Sequence, residues 1–395
     1  MTTNIRPKDN AGVHGGGGYE FQKICALYLL LDSYSELKEK EYFIYFEHFD
    51  DFVFCFTNDS NIQSAHLYQA KKNNDKWTLD TEFKNTIQAM CEDGVIARSD
   101  TTFIKTAEYK QLLHFVSNAV IQLKQTKTNE SKETNCFNEL CEAAQKEISC
   151  HIQESIKYSV FSRESSIKEP SIAQVKTWYD SLDDEQKKAI DDEIKAHPVV
   201  KEIPNLRFRY IDLGKKTSSQ KEQLKGKLTT IFNDHIAHPS AAIDTLLLLL
   251  FSEPATSFNQ GCITYSNRSK RVSSDRVKQC FEILTSQSMA INDWRSRGNE
   301  ISRNLRLPLN ERAIFERLFI NSLDLFKDME QVEHLKILTF ANEMYKSLVV
   351  YDIDSFVNET YERYVQKHSS RFSKIELQAI IYAAYFEIVK PKINE

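Results

Sequence analysis

Glycine is scarce, with ten in 395 residues. Gly12 and Gly15 to Gly18 crowd near the start, and only Gly94, Gly214, Gly226, Gly261 and Gly298 follow. So thin a supply excludes a fold made of many tight hairpins or glycine-rich phosphate loops, and favours helix over the remainder. The glycine run is not followed by Gly-Lys-Ser/Thr, which removes a phosphate-cradling NTPase loop. His14-Gly15-Gly16-Gly17 is not an oxyanion loop either, because no Gly-x-Ser-x-Gly turn exists to carry a serine nucleophile. The longest apolar run, Ala241 to Phe251, falls short of the roughly 20 residues of a spanning helix and reads as a buried one. The first eighteen residues hold no apolar core of a secretory leader, so a cytoplasmic protein without membrane attachment is expected. Eight cysteines include no Cys-x-x-Cys pair. The tightest group, Cys136, Cys141, Cys150 and His151, lacks zinc spacing, and reduced thiols are expected. Positive charge is also in deficit: 51 Lys and Arg against 56 Asp and Glu leave a net charge of −5. Such a chain has no global attraction for polyphosphate, so nucleic-acid contact must come from local patches.

What is present divides into two styles. The length suits two domains. Residues 1–18 read as a flexible segment. Tyr19 to Leu31 has a broad helical apolar face from Phe21, Ile24, Leu27, Tyr28 and Leu31. Tyr42 to Phe46 is rich in β-forming aromatics. Phe52 to Phe56 is a continuous apolar run bounded by Asn58-Asp59-Ser60-Asn61, as in a central strand buried on both faces. Further strands are expected at Ala65 to Lys71, Leu112 to Val116 and Leu206 to Leu213, with a helix over Leu79 to Glu92. Asn135 to Ala196 reads as mostly helical and charged. Another helix is placed loosely over Gln220 to His235. From Pro239 nearly everything reads as helix, and Pro254 and Gly261 bracket the expected linker. The fold class is therefore α/β, a mixed sheet flanked by helices over residues 19–250, followed by an all-α domain over 255–395.

The chemistry concentrates in Glu47-His48-Phe49-Asp50-Asp51, an apolar strand, a turn, and Gln69-Ala70-Lys71. Side chains two apart on a strand share a face, so Ala65, Leu67, Gln69 and Lys71 point one way. Two apolar and then two polar residues are the pattern of a strand leaving a core for a cleft. Antiparallel pairing across the turn brings Asp51 close to Lys71; counted outward, Phe56 faces about Ala65 and Asp51 about Ala70. A carboxylate and an amide oxygen are hard ligands suited to Mg²⁺ or Mn²⁺. Lys71 is suited to orienting water or stabilising charge on a phosphate. One more acid should complete the set: Glu20 on the first helix, with Glu47 and Asp50 next.

Glu20 on a helix, Asp51 opening an apolar strand and Gln69-x-Lys71 together resemble the PD-(D/E)xK nuclease superfamily, restriction-endonuclease-like in fold. The Gln-x-Lys form is similar to that of Mrr-type restriction enzymes. More narrowly, Gly-Gly-Tyr-Glu-Phe-Gln (Gly17 to Gln22), the Glu47 to Asp51 segment and Tyr-Gln-Ala-Lys (Tyr68 to Lys71) resemble the effector nuclease domain of bacterial antiphage systems. That domain occurs fused to cyclic-nucleotide sensors and as the nuclease subunit of Lamassu-type systems. The motifs span about residues 15 to 75. Gln69 departs from the commoner acid and removes one negative ligand. The resemblance implies a metal at Glu20, Asp51 and Gln69, a catalytic Lys71, and a Gln22 that either bridges to the site or is a solvated helix residue. It also implies double-stranded DNA as substrate and an SMC-like ATPase and an accessory subunit as partners; the two strand cuts of a double-strand break add the expectation of a homo-oligomer when active. No cyclic-nucleotide pocket is visible in the C-terminal half, which favours the Lamassu-like form.

Two other readings stand beside this one: a non-catalytic scaffold with a nuclease-like fold, and a stand-alone modification-dependent restriction enzyme. The intact constellation argues against the first, and cleavage of modified DNA by the isolated chain would support the second. His235-x-x-His238, followed at once by Pro239, reads as an ordinary helix end. Arg268, Lys270, Arg271, Arg276 and Lys278, against Asp275, open a basic stretch continued by Arg295, Arg297, Arg303, Arg306 and Arg312. It reads as a solvated helical surface, or as a face for phosphate or protein.

Overall fold

The computed structural model describes residues 16–129, 134–167, 169–232, 236, 239–252, 254, 264–326, 331–349 and 351–389. His14, His235, His238, Gly12, Gly15 and Gly261 lie outside the described residues. The chain forms two compact units, Met1–Leu224 with Thr245–Val277, and Lys225–Asp244 with Lys278–Glu395.

In the first unit, α1 (Gly16–Asp32) is followed by the short α2 (Tyr34–Leu37) and three consecutive antiparallel strands, β1 (Tyr42–His48), β2 (Asp50–Asn58) and β3 (Asn61–Lys71). Helix α1 begins at Gly16, three residues before the expected start. Helix α3 (Thr81–Ser99) leads to β4 (Lys105–Ser117), which lies parallel to β3. A small hairpin, β5 (Ile121–Leu123) with β6 (Thr126–Thr128), precedes β7 (Thr134–Cys136). Helices α4 (Glu142–Ser165), α5 (Ile172–Ser181), α6 (Asp184–Ala196) and α7 (Pro198–Glu202) then lead to β8 (Leu206–Tyr210), parallel to β4. Helices α8 (Thr217–Phe232) and α9 (Pro239–Leu246) each cross a boundary between the chain segments of the two units, and β9 (Arg271–Ser273) pairs antiparallel with β1. The seven-stranded mixed sheet runs β7-β8-β4-β3-β2-β1-β9.

The apolar run of β2 sits centrally, with Phe52, Val53 and Cys55 fully buried, because both faces of the sheet are covered. On one face, Val53, Cys55, Ala65, Leu67, Leu113 and Phe115 pack with Phe83, Ile87 and Met90 of α3 and Ile148 and Ile152 of α4. Asp80 caps α3 by accepting from Phe83 N at 2.8 Å. Gly94 lets α3 lie close on the sheet: a Cβ there would stand 3.1 Å from Leu113. Its carbonyl accepts from Gln111 Nε2 at 2.8 Å. On the other face α1 buries a nearly unbroken run from Ile24 to Leu31.

The second unit is helical. Its core joins residues of α10 (Ser274–Asn304), α11 (Arg312–Leu325), α12 (Val332–Ser347), α13 (Ile353–Lys367) and α14 (Lys374–Ile388). Helix α14 is buried all round from Leu377 to Ala384, as expected of the central helix of a bundle. Trp294, Phe315 and Phe319 surround Tyr382, whose hydroxyl donates to Asp293 Oδ2 at 2.9 Å.

The basic stretch is not one surface. Lys270 is fully buried and the Arg271 guanidinium lies 4.2 Å from the centre of the Phe43 ring. Arg297 pairs with Asp293 at 3.1 Å, and Arg312 donates to Asn299 at 2.8 Å. Among the described residues no helix is long and apolar enough to cross a membrane. The seven cysteines within them are free thiols.

Candidate active site

The Asp51 carboxylate is fixed from across the strand pair. Its Oδ2 accepts from Gln69 Nε2 and, at 2.8 Å, from Ala70 N. The register is one residue away from the outward count: Cys55, not Phe56, pairs with Ala65, and Gln63 is the extra residue of a bulge. The correction matters, because a one-residue slip turns every side chain to the opposite face. In the observed register Asp51 shares a face with Val53 and Cys55, and Gln69 and Lys71 share it with Ala65 and Leu67. Lys71 stands beside Ser117 of β4, half-buried, and its side chain makes no hydrogen bond or ion pair among the described residues.

The hairpin before Asp51 is unusually tight. His48 pairs with Asp50, leaving Phe49 alone at the tip with φ 30, and Glu47 has φ 47. Neither residue is glycine, so the left-handed backbone costs energy that surrounding contacts must offset. Phe49 is fully buried, 4.4 Å from the Tyr265 ring. Tyr45 donates to Tyr265 O at 2.6 Å, and His48 Nε2 lies 2.5 Å from Thr264 O. Tyr265 N donates to Asp100 Oδ2 at 2.8 Å. Residues 264–265 thus clasp the hairpin that carries Glu47, Asp50 and Asp51. At its end, Asp50 Oδ1 accepts from Asp51 N at 2.9 Å.

Helix α1 brings the other acid. Glu20 Oε1 forms a 2.5 Å ion pair with Lys23, a buried lysine whose ammonium also lies 4.9 Å from the centre of the Tyr19 ring. Lys23 is absent from the sequence-derived site, because an i, i+3 Glu–Lys pair looks like any solvated helix pair. The Tyr19 hydroxyl is pushed up by burial, then by the charges of Glu47 and Glu20. The Cys25 thiol is pushed up by burial and by Asp51. The charges of Glu47, Glu20 and Asp51 thus act on Tyr19 and Cys25 of α1. The structure brings Asp51 and Gln69 into contact, sets Lys71 on their face, and turns Glu20 toward Lys23. Gln22 Oε1 is buried and has no hydrogen-bond partner among the described residues.

The donor set decides which metal would suit. Among the described residues no three His, Cys, Asp or Glu side chains gather as a metal cage. One carboxylate and an amide oxygen are hard oxygen donors, of the kind that would suit a cation that keeps several waters, as Mg²⁺ does. They do not fit a closed zinc site.

Residues 10–213, more than half of the chain, match the family model described as "Cap4, dsDNA endonuclease domain". The chain belongs to this family. It is accordingly a double-stranded DNA endonuclease of bacterial antiphage defence. The Cap4 match covers β1 to β8 and every candidate residue, from Glu20 to Lys71. The clasp at 264–265, strand β9 and the whole helical unit follow it. No curated protein and no solved structure matches the chain.

Proposed function

We propose that this Cap4-family chain hydrolyses phosphodiester bonds of duplex DNA at a PD-(D/E)xK-type site formed by Asp51, Gln69 and Lys71, with Mg²⁺ or Mn²⁺. The supporting observation is the fixed Asp51 carboxylate, held by Gln69 and Ala70 N on the face that carries Lys71. Asp51, the Gln69 amide oxygen and Glu20 would hold the metal, with Glu47 and Asp50 as the alternative acids. A bound divalent ion lowers the pKa of its water and offsets phosphate charge. Lys71 directs a positive charge at the phosphate undergoing attack. Glu20 would exchange its Lys23 partner for the cation.

Loops at the carboxyl ends of β3 and β8 supply positive charge beside the site. Lys72, Lys76, Lys215 and Lys216 are exposed there, and Lys215 Nζ donates to Asn74 O at 2.7 Å, tying the two loops together. This is the local patch that an acidic chain requires for a DNA backbone. The protein would act in the cytoplasm as the nuclease subunit of a Lamassu-type complex, with an SMC-like ATPase, an accessory subunit and a second copy of itself. Pairing of copies suits a double-strand break, which needs two strand cuts.

The test is a supercoiled-plasmid assay with purified full-length protein, with Mg²⁺ or Mn²⁺, with EDTA, and across protein concentrations. Cleavage should require the metal and vanish in Asp51→Asn, which keeps the side chain's shape. Undiminished nicking by that variant would remove Asp51 from the site.

A further inference from the structure

The hairpin β5–β6 stands apart from the seven-stranded sheet and is fastened to the loop that follows Lys71. Trp77 N donates to Val120 O at 2.8 Å, and Gln122 N donates to Trp77 O at 2.9 Å. The Trp77 indole N–H in turn donates to Ser117 Oγ at 2.8 Å, and Ser117 is the strand partner of Lys71. A short series of hydrogen bonds therefore fixes the hairpin beside the proposed catalytic lysine.

The hairpin has two unlike faces. Ile121 pairs with Thr128 and Leu123 with Thr126, and Ile121, Leu123 and Thr128 are buried. Between them the Gln122–Lys127 pair takes the opposite face, where Gln122 is half-buried and Lys127 exposed. Lys76 Nζ donates to Gln122 Oε1 at 3.4 Å, which leaves the Gln122 amide to present its N–H groups. Lys76, Gln122 and Lys127 thus form a row of hydrogen-bond donors. From the other side of the same loop, Lys215 Nζ reaches Asn74 O at 2.7 Å. Residues 72–76, 121–128 and 211–216 hold six lysines and two acids, Asp75 and Asp212. Lys124, at the hairpin tip, is offset by Glu147 at 2.9 Å. The other five lysines are exposed, and none pairs with an acid among the described residues. Five lysines against two aspartates leave three positive charges here, in a chain whose net charge is −5.

Phosphate oxygens are negative and only accept hydrogen bonds, so a row of donors with surplus positive charge suits a phosphodiester backbone. Base edges mix donors with acceptors and suit it less. A two-stranded ribbon can also enter a major groove, but this one lies along the body of the protein. Its tip residue Lys124 is turned to Glu147 of α4, and Thr126 Oγ1 accepts from Cys141 N at 2.9 Å. We propose that the outer face of β5–β6 extends the DNA-contacting surface beyond the two lysine-bearing loops. Lys127 and Gln122 hold backbone phosphates of the duplex to one side of the cleavage point. This role rests on duplex DNA as the substrate of the nuclease and is independent of which residues hold a metal.

Fluorescence anisotropy of a short labelled duplex, titrated with full-length protein in EDTA across salt concentrations, tests it. Lys76→Ala and Lys127→Ala should each lower the slope of log affinity against log salt by about one. Gln122→Ala should weaken binding about threefold or more and leave the slope unchanged, because the amide is uncharged. Lys124→Ala, which removes the paired lysine of the same hairpin, should match wild type. The losses should be equal on duplexes of different sequence, since phosphates carry none. Sequence-dependent losses would put the hairpin in a groove and overturn the backbone assignment. Circular dichroism melting checks that the variants fold. If wild type binds and Lys127→Ala keeps its affinity and slope, the hairpin holds no phosphate and the nuclease reading stands. The same follows if Lys124→Ala loses as much as Lys127→Ala. No binding by wild type at low salt overturns the hairpin's role and the lysine patch together, and the plasmid assay then decides the nuclease reading.

Discussion

Asp51 accepts two hydrogen bonds through one oxygen, so its substitution has a structural as well as a chemical effect. Asn keeps an acceptor for Ala70 N, whereas Ala strands that amide, which is why Asp51→Asn is the cleaner test. Lys71 is different, since its side chain makes no hydrogen bond or ion pair among the described residues. Lys71→Ala should leave stability nearly unchanged and lower kcat by an amount on the order of 3 kcal/mol, or about a hundredfold. Retained turnover, with metal binding lost instead, would reverse the assigned role. Glu20→Ala should act on stability as well. It leaves Lys23, whose side chain is 10 % exposed, without its carboxylate, although Glu20 itself is 42 % exposed and screened by solvent. A loss of about 1–2 kcal/mol is expected in urea denaturation, partly recovered by adding Lys23→Met. An unchanged midpoint would mean that the pair contributes nothing. Gln69-x-Lys71 was legible because strand period 2 fixes a face. The left-handed residues Glu47 and Phe49 were not, since neither is the glycine that ordinarily announces such a backbone.

At the scale of elements, long and strongly patterned segments were readable. The apolar run of β2, the alternation of β3 and the helical stripe of α1 all lie where their periodicity places them. Short elements were not: β9 has three residues and inherits its conformation from β1 rather than from its own sequence. The register was off by one because the turn is tighter than counted: Asn58 pairs with Asn61 around a two-residue tip, Asp59-Ser60, both with positive φ, and the bulge at Gln63 makes up only part of the difference. The ring stack of His66, His114 and Tyr68 on β3 and β4 has a consequence for pH. His66 is held at about 4, below its ordinary 6.5, so the folded state prefers the neutral ring. Below pH 6.5 the unfolded chain takes up a proton that the folded chain refuses. Stability is therefore full above 6.5 and declines as pH falls toward 4. His66 alone contributes on the order of 3 kcal/mol to that decline, and His114 acts in the same direction. Urea midpoints should fall less between pH 6.5 and 4 in His66→Phe than in wild type. Parallel curves would show that His66 titrates normally.

At the scale of the whole molecule, the first compact unit reaches Val277 and includes Tyr265, which is fully buried against Tyr45 and Phe49. A chain ended after Pro254 loses that ring and strand β9 together. Losing one buried aromatic costs about 3–5 kcal/mol, comparable to much of a domain's net stability. Such a truncation should melt without cooperativity and be cut readily by protease. Cooperative melting at the full-length temperature would show that residues 264–273 are dispensable. The dependence was not legible in the sequence, where residues near Pro254 and Gly261 have only the composition of a linker. The general division was legible, with a sheet early and helices late, because scarcity of glycine and the change of hydrophobic period are properties of the chain itself.

The clasp on the hairpin also sets an order in time. Thr264 and Tyr265 follow their partners His48 and Tyr45 by 216 and 220 residues. At about 5–20 residues per second, a ribosome needs roughly 10 to 40 seconds to span that interval. Throughout it, the hairpin bearing Glu47, Asp50 and Asp51 has been synthesised but not secured. A message broken anywhere before that point yields a fragment with the residues proposed here for the DNA-cutting centre and without the 264–265 contacts on their hairpin. For a bacterium that must keep such an enzyme beside its own chromosome, late fastening means that only a chain translated past the clasp carries the secured hairpin.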